Sequence, residues 1–176
     1  MGVVETLPYS PDVFWIETRS PGRLAILRRP RCDDALDDVV VEWLAVGIDT
    51  VVSLLTDGEA RDLGLGREAE ASREAGLTFV EFPIADFGVP ASAARIAPVV
   101  QRIVATLRQG GSVGIHCNQS VGRSGLLASC VLVALDFEPV EAFHVISKSR
   151  GTSVPETMEQ RRWVETAMPA LRALPL

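Results

Sequence analysis

The stretch Gly114-Ile-His-Cys-Asn-Gln-Ser-Val-Gly-Arg-Ser-Gly125 decides the architecture that we expect for this chain. It begins in the short apolar run Ser112–Ile115, which predicts a buried strand, and leads into Leu126–Val133, which predicts a buried helix. A strand, a tight loop and a helix in succession bring backbone N–H groups together and add the partial positive charge of a helix N-terminus. A thiol in that field, here Cys117, should ionise easily. The stretch therefore predicts a cradle for an anion such as phosphate, with a nucleophile inside it.

The composition bounds the class of protein. The chain has 176 residues, 47% hydrophobic and 23% charged, which fits one globular domain over residues 1–176. A net charge of −6 argues against a nucleic-acid-binding protein but allows a local positive pocket. The longest apolar run, Leu126–Leu135, is too short to span a bilayer, and no secretory signal is visible, so we expect no membrane association.

The cysteines and the basic residues suggest where the protein works. The three cysteines, Cys32, Cys117 and Cys130, are an odd number without a framework spacing, which favours free thiols in a reducing compartment. We therefore expect a cytoplasmic location. Lys148 is the only lysine among 17 basic residues, and this arginine bias suggests a GC-rich bacterial genome.

Strand and helix patterns alternate along the rest of the chain. We expect strands over Val13–Thr18, Arg23–Leu27, Ile48–Leu55 and Leu77–Phe82. We expect helices from an Asp33–Asp34 cap to Val46, in pieces over Asp57–Gly76, over Ala93–Gln109, over Pro139–Ser149 and from Pro155 to about Leu174. This order predicts an α/β domain with a central, mainly parallel sheet and helices on both faces. Ligands of such sheets bind beyond the carboxyl ends of the strands, where the loop after Ile115 lies.

The residues around Cys117 suit chemistry on a phosphate. Gly122 lets the loop turn its amides inward, and Arg123 can set a two-pronged donor against two phosphate oxygens. Ser124 could donate a hydrogen bond to the sulfur and so improve it as a leaving group, or it could be an ordinary residue of the first helical turn. We expect His116 to hydrogen-bond locally and hold the loop. A cysteine and an arginine six positions apart are weak evidence alone, and the strand and helix around them supply the context.

A proton donor for the leaving group is the remaining requirement. Asp86 lies in the stretch Phe82–Pro90, which Pro83, Gly88 and Pro90 break into a loop. A carboxylate on such a loop can swing over a neighbouring pocket. A turn-forming aspartate explains the same residue equally well, so these residues alone leave both interpretations open.

The pattern His116-Cys117, five residues, Arg123-Ser124, with Asp86 upstream in Pro-Ile-Ala-Asp-x-x-x-Pro, resembles the cysteine-based protein tyrosine phosphatases. The chain is most similar to the compact dual-specificity branch, in particular the cyclin-dependent-kinase-inhibitor-associated phosphatases and their bacterial relatives, from about Leu44 to Trp163. The resemblance implies a phosphatase that needs no cofactor or metal, with Cys117 as nucleophile, Arg123 as phosphate clamp, Asp86 as general acid and then base, and Ser124 assisting thiolate departure. It also implies a phosphate loop formed by Asn118, Gln119, Ser120, Val121, Gly122 and Arg123.

The chain departs from the family pattern in ways that bear on the substrate. Ser120 stands where the family usually has glycine. The residue before Asp86 is alanine, where larger tyrosine phosphatases have Trp-Pro-Asp, which favours the dual-specificity branch. Phosphoinositide phosphatases often carry basic residues at the positions of Asn118 and Val121, so lipid substrates are disfavoured here.

Four further polar residues and one thiol have open roles. Gln160 resembles a glutamine that some relatives use near the hydrolytic water, although a solvated helix residue is the simpler interpretation. Cys130 could protect Cys117 as a reversible disulfide, but a buried structural thiol is the better explanation. The sequence assigns no role to Glu59, Glu68 and Glu70.

The leading hypothesis is a phosphatase that acts on phosphotyrosine, and also on phosphoserine or phosphothreonine, in a protein or peptide substrate. No extended phosphotyrosine-recognition segment is visible, so we expect a shallow pocket. A shallow pocket admits the shorter phosphoserine and phosphothreonine side chains as well as phosphotyrosine. One alternative is a small or non-protein phosphate, such as a nucleotide, an inositol phosphate or an RNA 5′ end. Another, disfavoured by the full set of catalytic residue types, is a phosphate-binding module without turnover.

Overall fold

The computed structural model describes residues 13–31 and 36–176, and a five-stranded sheet forms its centre. The strands are β1 (Val13–Ile16), β2 (Arg23–Leu27), β3 (Thr50–Ser53), β4 (Thr78–Glu81) and β5 (Ser112–His116). They lie in the order β1-β2-β5-β3-β4. Strands β2, β5, β3 and β4 are parallel, and β1 joins the edge antiparallel to β2, so the expected mainly parallel sheet is confirmed.

Seven helices in the described part of the chain cover this sheet. They are α1 (Leu36–Ala45), α2 (Asp57–Asp62), α3 (Glu68–Glu74), α4 (Ala93–Arg108), α5 (Gly122–Ala134), α6 (Pro139–Arg150) and α7 (Met158–Arg172). Two separate hydrophobic clusters form, one with α4 to α7 and the other with α1 and α3. The helices therefore lie on both faces, which is the arrangement expected for an α/β domain. None of the helices in the described ranges is long and apolar enough to cross a membrane.

The central strand and the helix after it are the most deeply buried elements. Every residue of β5 is buried because β2 and β3 pair with its two edges. All residues of α5 are also buried, since the helix packs against the sheet and against α4, α6 and α7. The run Leu126–Val133, which carries apolar residues on all sides of the helix, needs such an environment. The loop that joins these two elements is therefore held at the carboxyl edge of the sheet by rigid structure on both sides.

The structure differs from the expectation mainly at the ends of elements. Strands β1, β3 and β4 are shorter than the predicted segments, and α5 already begins at Gly122. The last helix begins at Met158 rather than at Pro155. Thr157 caps it, because its side chain accepts a hydrogen bond from the Gln160 N–H while the Gln160 side chain accepts one from the Thr157 N–H. The expected Asp33–Asp34 cap lies outside the described residues.

Candidate active site

The loop between β5 and α5 carries Cys117 into the interior of the site. Its Sγ lies 3.5 Å from the Oγ of Ser124, and both residues are buried. Since α5 begins at Gly122, the N–H groups of its first turn have no carbonyl partner within the helix. Those amides and the helix dipole favour an anion beside the sulfur. The strand, the loop and the helix thus lie in the arrangement on which the predicted anion cradle depends.

Arg123, the second residue of α5, is almost completely buried beside this cradle. Its Nη1 and Nη2 donate to the two carboxylate oxygens of Glu59, each at 2.8 Å, and Nη1 also donates to the Ile84 carbonyl at 2.9 Å. Burial opposes the charge, but the Glu59 hydrogen bonds and the charges of Cys117, Glu59 and Asp86 outweigh it and raise the pKa of Arg123 above its ordinary value. The guanidinium therefore stays charged inside the site.

The orientation of this guanidinium leaves a definite edge for a ligand. Of its five N–H groups, Glu59 and Ile84 take three. The remaining pair, on Nε and Nη2, forms a fork that suits two phosphate oxygens. Asp86 borders that edge, with its Oδ1 3.0 Å from Nη2.

Asp86 lies on the loop between β4 and α4, and its side chain is 49% exposed. Its Oδ1 also accepts a hydrogen bond from the Phe87 N–H at 3.1 Å. The structure brings the carboxylate to the Arg123 guanidinium rather than leaving it as a remote turn residue. The two loops predicted from separate parts of the sequence therefore meet at one site.

Glu59, to which the sequence assigns no role, holds the far side of Arg123. Its pKa is lowered from 4.5 to about 2, chiefly by the hydrogen bonds from Arg123 and further by those from Thr56. Thr56 and Glu59 form a capping box at the start of α2, with the Thr56 N–H donating to Glu59 Oε2 at 3.0 Å. The pattern Thr56-x-x-Glu59 is a capping-box motif, which indicates in the sequence that a helix starts shortly after β3. Because β3 pairs with β5, that helix start lies beside the cysteine loop.

His116 and Cys117 point in different directions, as successive residues at a strand end do. The His116 side chain is fully buried, and its Nε2 lies 2.7 Å from Oε1 of Glu68, a residue of α3 that is also buried. Its ring centroid lies 6.0 Å from that of Trp43. The His116 side chain therefore contacts a residue of α3 instead of making the expected local hydrogen bond. The backbone carbonyl of His116 accepts a hydrogen bond from the Leu54 N–H at 3.0 Å.

The backbone conformation at Ser120 explains why the family usually has glycine at this position. Its φ of 55° lies in the left-handed region, which costs a residue with a side chain about 1 kcal/mol or more. Its hydroxyl donates to the Leu27 carbonyl at 2.5 Å, and its own carbonyl accepts from Arg150 Nε at 2.8 Å. These bonds offset part of the strain and tie the middle of the loop to β2 and α6.

Gln160 is buried, which contradicts the interpretation as a solvated helix residue. Its Nε2 donates to the Gly88 carbonyl in the Asp86 loop at 3.3 Å. A Cβ placed on Gly122 would lie only 3.0 Å from the same Nε2, so the amide lies directly against the phosphate loop. The side chain thus lies between the two loops of the site. In addition, its Oε1 accepts a hydrogen bond from the Thr157 N–H at 3.2 Å in the capping box of α7.

Glu70 and Cys130, whose roles the sequence leaves open, are not part of this site. Glu70 is exposed on α3 and pairs with Arg67 at 3.3 Å. Cys130 is a free, fully buried thiol on α5, and burial raises its pKa far above the ordinary value for cysteine. Its environment is that of a structural thiol.

Comparisons with known proteins identify a matching family and several relatives. The family model described as "Polymorphic toxin system, DSP-PTPase phosphatase" matches residues 27–136, from the end of β2 to just past α5. The chain is 34% identical over 103 residues to mouse protein tyrosine phosphatase domain-containing protein 1, covering 54% of this chain and 14% of the relative. It is 26% identical over 125 residues to human cyclin-dependent kinase inhibitor 3, covering 70% of this chain and 58% of the relative. The chain thus spans only part of the length of each of these relatives.

A solved structure shows the same fold. The crystal structure of kinase associated phosphatase (KAP), with its catalytic-site cysteine replaced by serine, matches with a TM-score of 0.83 and 22% identity, over 92% of this chain and 96% of that one. The expected likeness to the kinase-associated branch is confirmed by these relatives. Because the family model covers more than half of the chain and includes both loops of the site, the chain belongs to the DSP-PTPase phosphatase family of polymorphic toxin systems.

Proposed function

We propose that this protein is a cysteine-dependent phosphatase that hydrolyses phosphotyrosine, and also phosphoserine or phosphothreonine, in protein or peptide substrates. The observation that carries the proposal is the convergence of three groups at one site. The Cys117 sulfur lies at the N-terminus of α5, the Arg123 guanidinium is fixed beside it, and Asp86 lies 3.0 Å from that guanidinium. The family to which the chain belongs supports the same activity.

In the first step the Cys117 thiolate attacks phosphorus while the bond from phosphorus to the ester oxygen breaks. Asp86 gives its proton to the departing oxygen, so the alcohol or phenol leaves neutral. The three remaining phosphate oxygens lie among the N–H groups of residues 118–123 and the Nε and Nη2 edge of Arg123, where the transition-state charge is stabilised. Glu59 keeps that edge turned toward the phosphate by binding the other side of the guanidinium.

In the second step water attacks the phosphocysteine, and the Asp86 carboxylate takes a proton from the water. The phosphorus–sulfur bond breaks, and inorganic phosphate leaves. The Ser124 hydroxyl, 3.5 Å from the sulfur, donates to the thiolate as it departs. Gln160 borders the space between the two loops and positions the attacking water in this proposal.

The main competing function is hydrolysis of a small or non-protein phosphate. A comparison of kcat/KM on phosphopeptides, nucleotides, inositol phosphates and RNA 5′ ends separates the two, and we expect the phosphopeptides to be the best substrates. A preference for any non-peptide phosphate would contradict the proposed substrate class.

The roles of the two loops are tested by replacing one residue in each. We expect Cys117→Ser to abolish hydrolysis of an aryl phosphate while phosphate still binds; full activity in that variant would exclude the covalent route. We expect Asp86→Ala to lower kcat strongly for poor leaving groups and little for activated aryl phosphates, because only poor leaving groups need the proton. Asp62→Ala, at an exposed aspartate of α2, is the matched control and should leave both rates unchanged.

The proposal also covers the domain organisation of the protein and its location in the cell. We propose that residues 1–176 form one catalytic domain and that the protein works in a bacterial cytoplasm. The arginine-rich composition supports a bacterial source. The free, buried state of Cys117 and Cys130 supports a reducing compartment such as the cytoplasm.

A further inference from the structure

Beside the phosphate loop lies an open pocket of about 450 Å³ that we call the arginine pocket. It is lined by Arg28, Arg29, Arg31 and Arg150, together with Asn118 and Gln119 of the phosphate loop. The protein as a whole carries a net charge of −6, so four arginines around one pocket run against its overall charge. A concave site lined by one sign of charge concentrates ligands of the opposite sign.

Contacts with the phosphate loop hold two of these arginines in place. Arg29 donates from Nε to Asn118 Oδ1 at 2.9 Å and from Nη1 to the Pro30 carbonyl at 2.9 Å. Arg150 donates from Nε to the Ser120 carbonyl at 2.8 Å, and its guanidinium stacks 4.1 Å above the Phe14 ring. Arginines that are already ordered lose little conformational freedom when an anion binds.

The charges in this region favour an anion in the arginine pocket. Burial lowers the pKa of Arg150, and the positive charge of Arg28 lowers it further. Arg150 lies directly against the loop that carries Cys117, because its Nε donates to the Ser120 carbonyl at 2.8 Å. An anionic group bound here would relieve the repulsion between the arginines.

We propose that the arginine pocket binds a second anionic group of the substrate, a phosphate or carboxylate on a peptide residue close to the phosphorylated one. The inference rests on the proposed phosphatase function and specifies its substrate. Two residues of extended peptide span about 7 Å, so a side chain one or two positions away can reach a pocket that shares residues with the phosphate loop. A net charge of −6 disfavours approach to an anionic membrane surface, which favours a soluble peptide over a lipid headgroup.

The test compares three synthetic peptides that carry one phosphotyrosine. The first has alanine on both sides, the second has glutamate, and the third has a phosphothreonine two positions away. We expect wild-type kcat/KM for the third peptide to exceed that for the first by about tenfold, the effect of one good charge-assisted hydrogen bond in a partly exposed site, with the second between them. An inositol bisphosphate and a nucleoside diphosphate complete the set.

The variant Arg28→Gln/Arg31→Gln removes charge from the pocket. We use these two residues because Arg29 and Arg150 also hold the phosphate loop. We expect the tenfold ratio to fall to about twofold or less. The matched control is Arg102→Gln/Arg108→Gln, two exposed arginines of α4 with the same change in net charge, and it should keep the wild-type ratio. Thermal unfolding checks that both variants fold.

Several results would overturn the inference. These are a wild-type ratio near one, an unchanged ratio in the pocket variant, an equal loss in the control, or a higher kcat/KM on the inositol bisphosphate or nucleotide than on any peptide. If the pocket variant does not fold, the wild-type ratio should still fall toward one as salt rises from about 0.05 M to 0.5 M, and a ratio indifferent to salt would contradict the inference.

A failure of the proposed function looks different, since no peptide would then be hydrolysed. In that case Cys117→Ser still tests the pocket, because its affinity for the doubly phosphorylated peptide should exceed that for the alanine-flanked peptide by about tenfold. Equal affinities would overturn the inference independently of turnover.

Discussion

Glu59→Gln removes the negative charge that holds Arg123 and keeps the shape of the side chain. Glutamine still fits the capping box with Thr56, so the start of α2 should survive. The pKa of Glu59 is lowered from 4.5 to about 2. At about 1.36 kcal/mol per pKa unit this corresponds to about 3 kcal/mol of stability at pH 7, part of which comes from Thr56 and persists in the variant. We therefore expect Glu59→Gln to lower the free energy of unfolding by about 2 kcal/mol at pH 7.

The pH dependence of this loss has a definite sign. Because the folded pKa of Glu59 is depressed, its contribution is complete above pH 4.5 and is lost as the pH falls toward 2. The difference between wild type and variant should be less than half as large at pH 3 as at pH 7. Urea unfolding at the two pH values measures it, and kcat/KM should fall by about tenfold at neutral pH because Arg123 loses its orientation.

The matched control is Glu70→Gln, which breaks the exposed pair with Arg67. Surface pairs contribute little, so we expect a change below about 0.5 kcal/mol. If Glu59→Gln changed the stability no more than this control does, or if its effect were the same at pH 3 and pH 7, the reasoning about the Arg123 clamp would be refuted.

Three further changes test other parts of the site. Ser120→Gly should be more stable than Ser120→Ala by about 1 kcal/mol in urea unfolding, because alanine keeps the positive φ and loses the hydroxyl bond; alanine being the more stable would contradict the strained loop. Gly125→Ala should destabilise by about 1–3 kcal/mol, since its Cβ would lie 1.9 Å from Cγ1 of Val154, and an unchanged melting temperature would count against this packing. Cys130 should react with iodoacetamide only as fast as the protein unfolds, because burial raises the pKa of its thiol, and rapid labelling of the native protein would disprove this.

Much of the fold follows from local patterns. The apolar run before Cys117 and the mainly apolar run Leu126–Val133 predict a buried strand and helix, and both are buried in the structure. The alternation of strands and helices predicts the mainly parallel sheet, which is confirmed. The ends of β3 and β4 differ from the prediction because Leu54 and Leu77 are buried by packing without belonging to a strand. A hydrophobic run indicates which residues are buried, whereas hydrogen bonding to the neighbouring strands determines where a strand ends.

The neighbours of the site could not be read from the sequence in the same way. Glu59 meets Arg123 only because β3 lies next to β5, a pairing between segments far apart in the chain. Glu68 meets His116 because α3 packs on the face opposite Cys117. Gln160 is buried because its helix packs beside the Asp86 loop, where its Nε2 donates to the Gly88 carbonyl, and a helical pattern does not reveal that contact. The roles of Cys117, Arg123 and Asp86 in catalysis remain predictions.

The central claim is that the reaction passes through a phosphate bound covalently to Cys117. The most direct test mixes enzyme with an activated aryl phosphate, quenches with acid within milliseconds and maps the modified peptide by mass spectrometry. We predict a phosphate on the peptide that contains Cys117, absent in Cys117→Ser and longer-lived in Asp86→Ala, whose second step lacks its base. Steady hydrolysis by the wild type with no phosphate on Cys117 at any time point, in either the wild type or Asp86→Ala, would contradict this account.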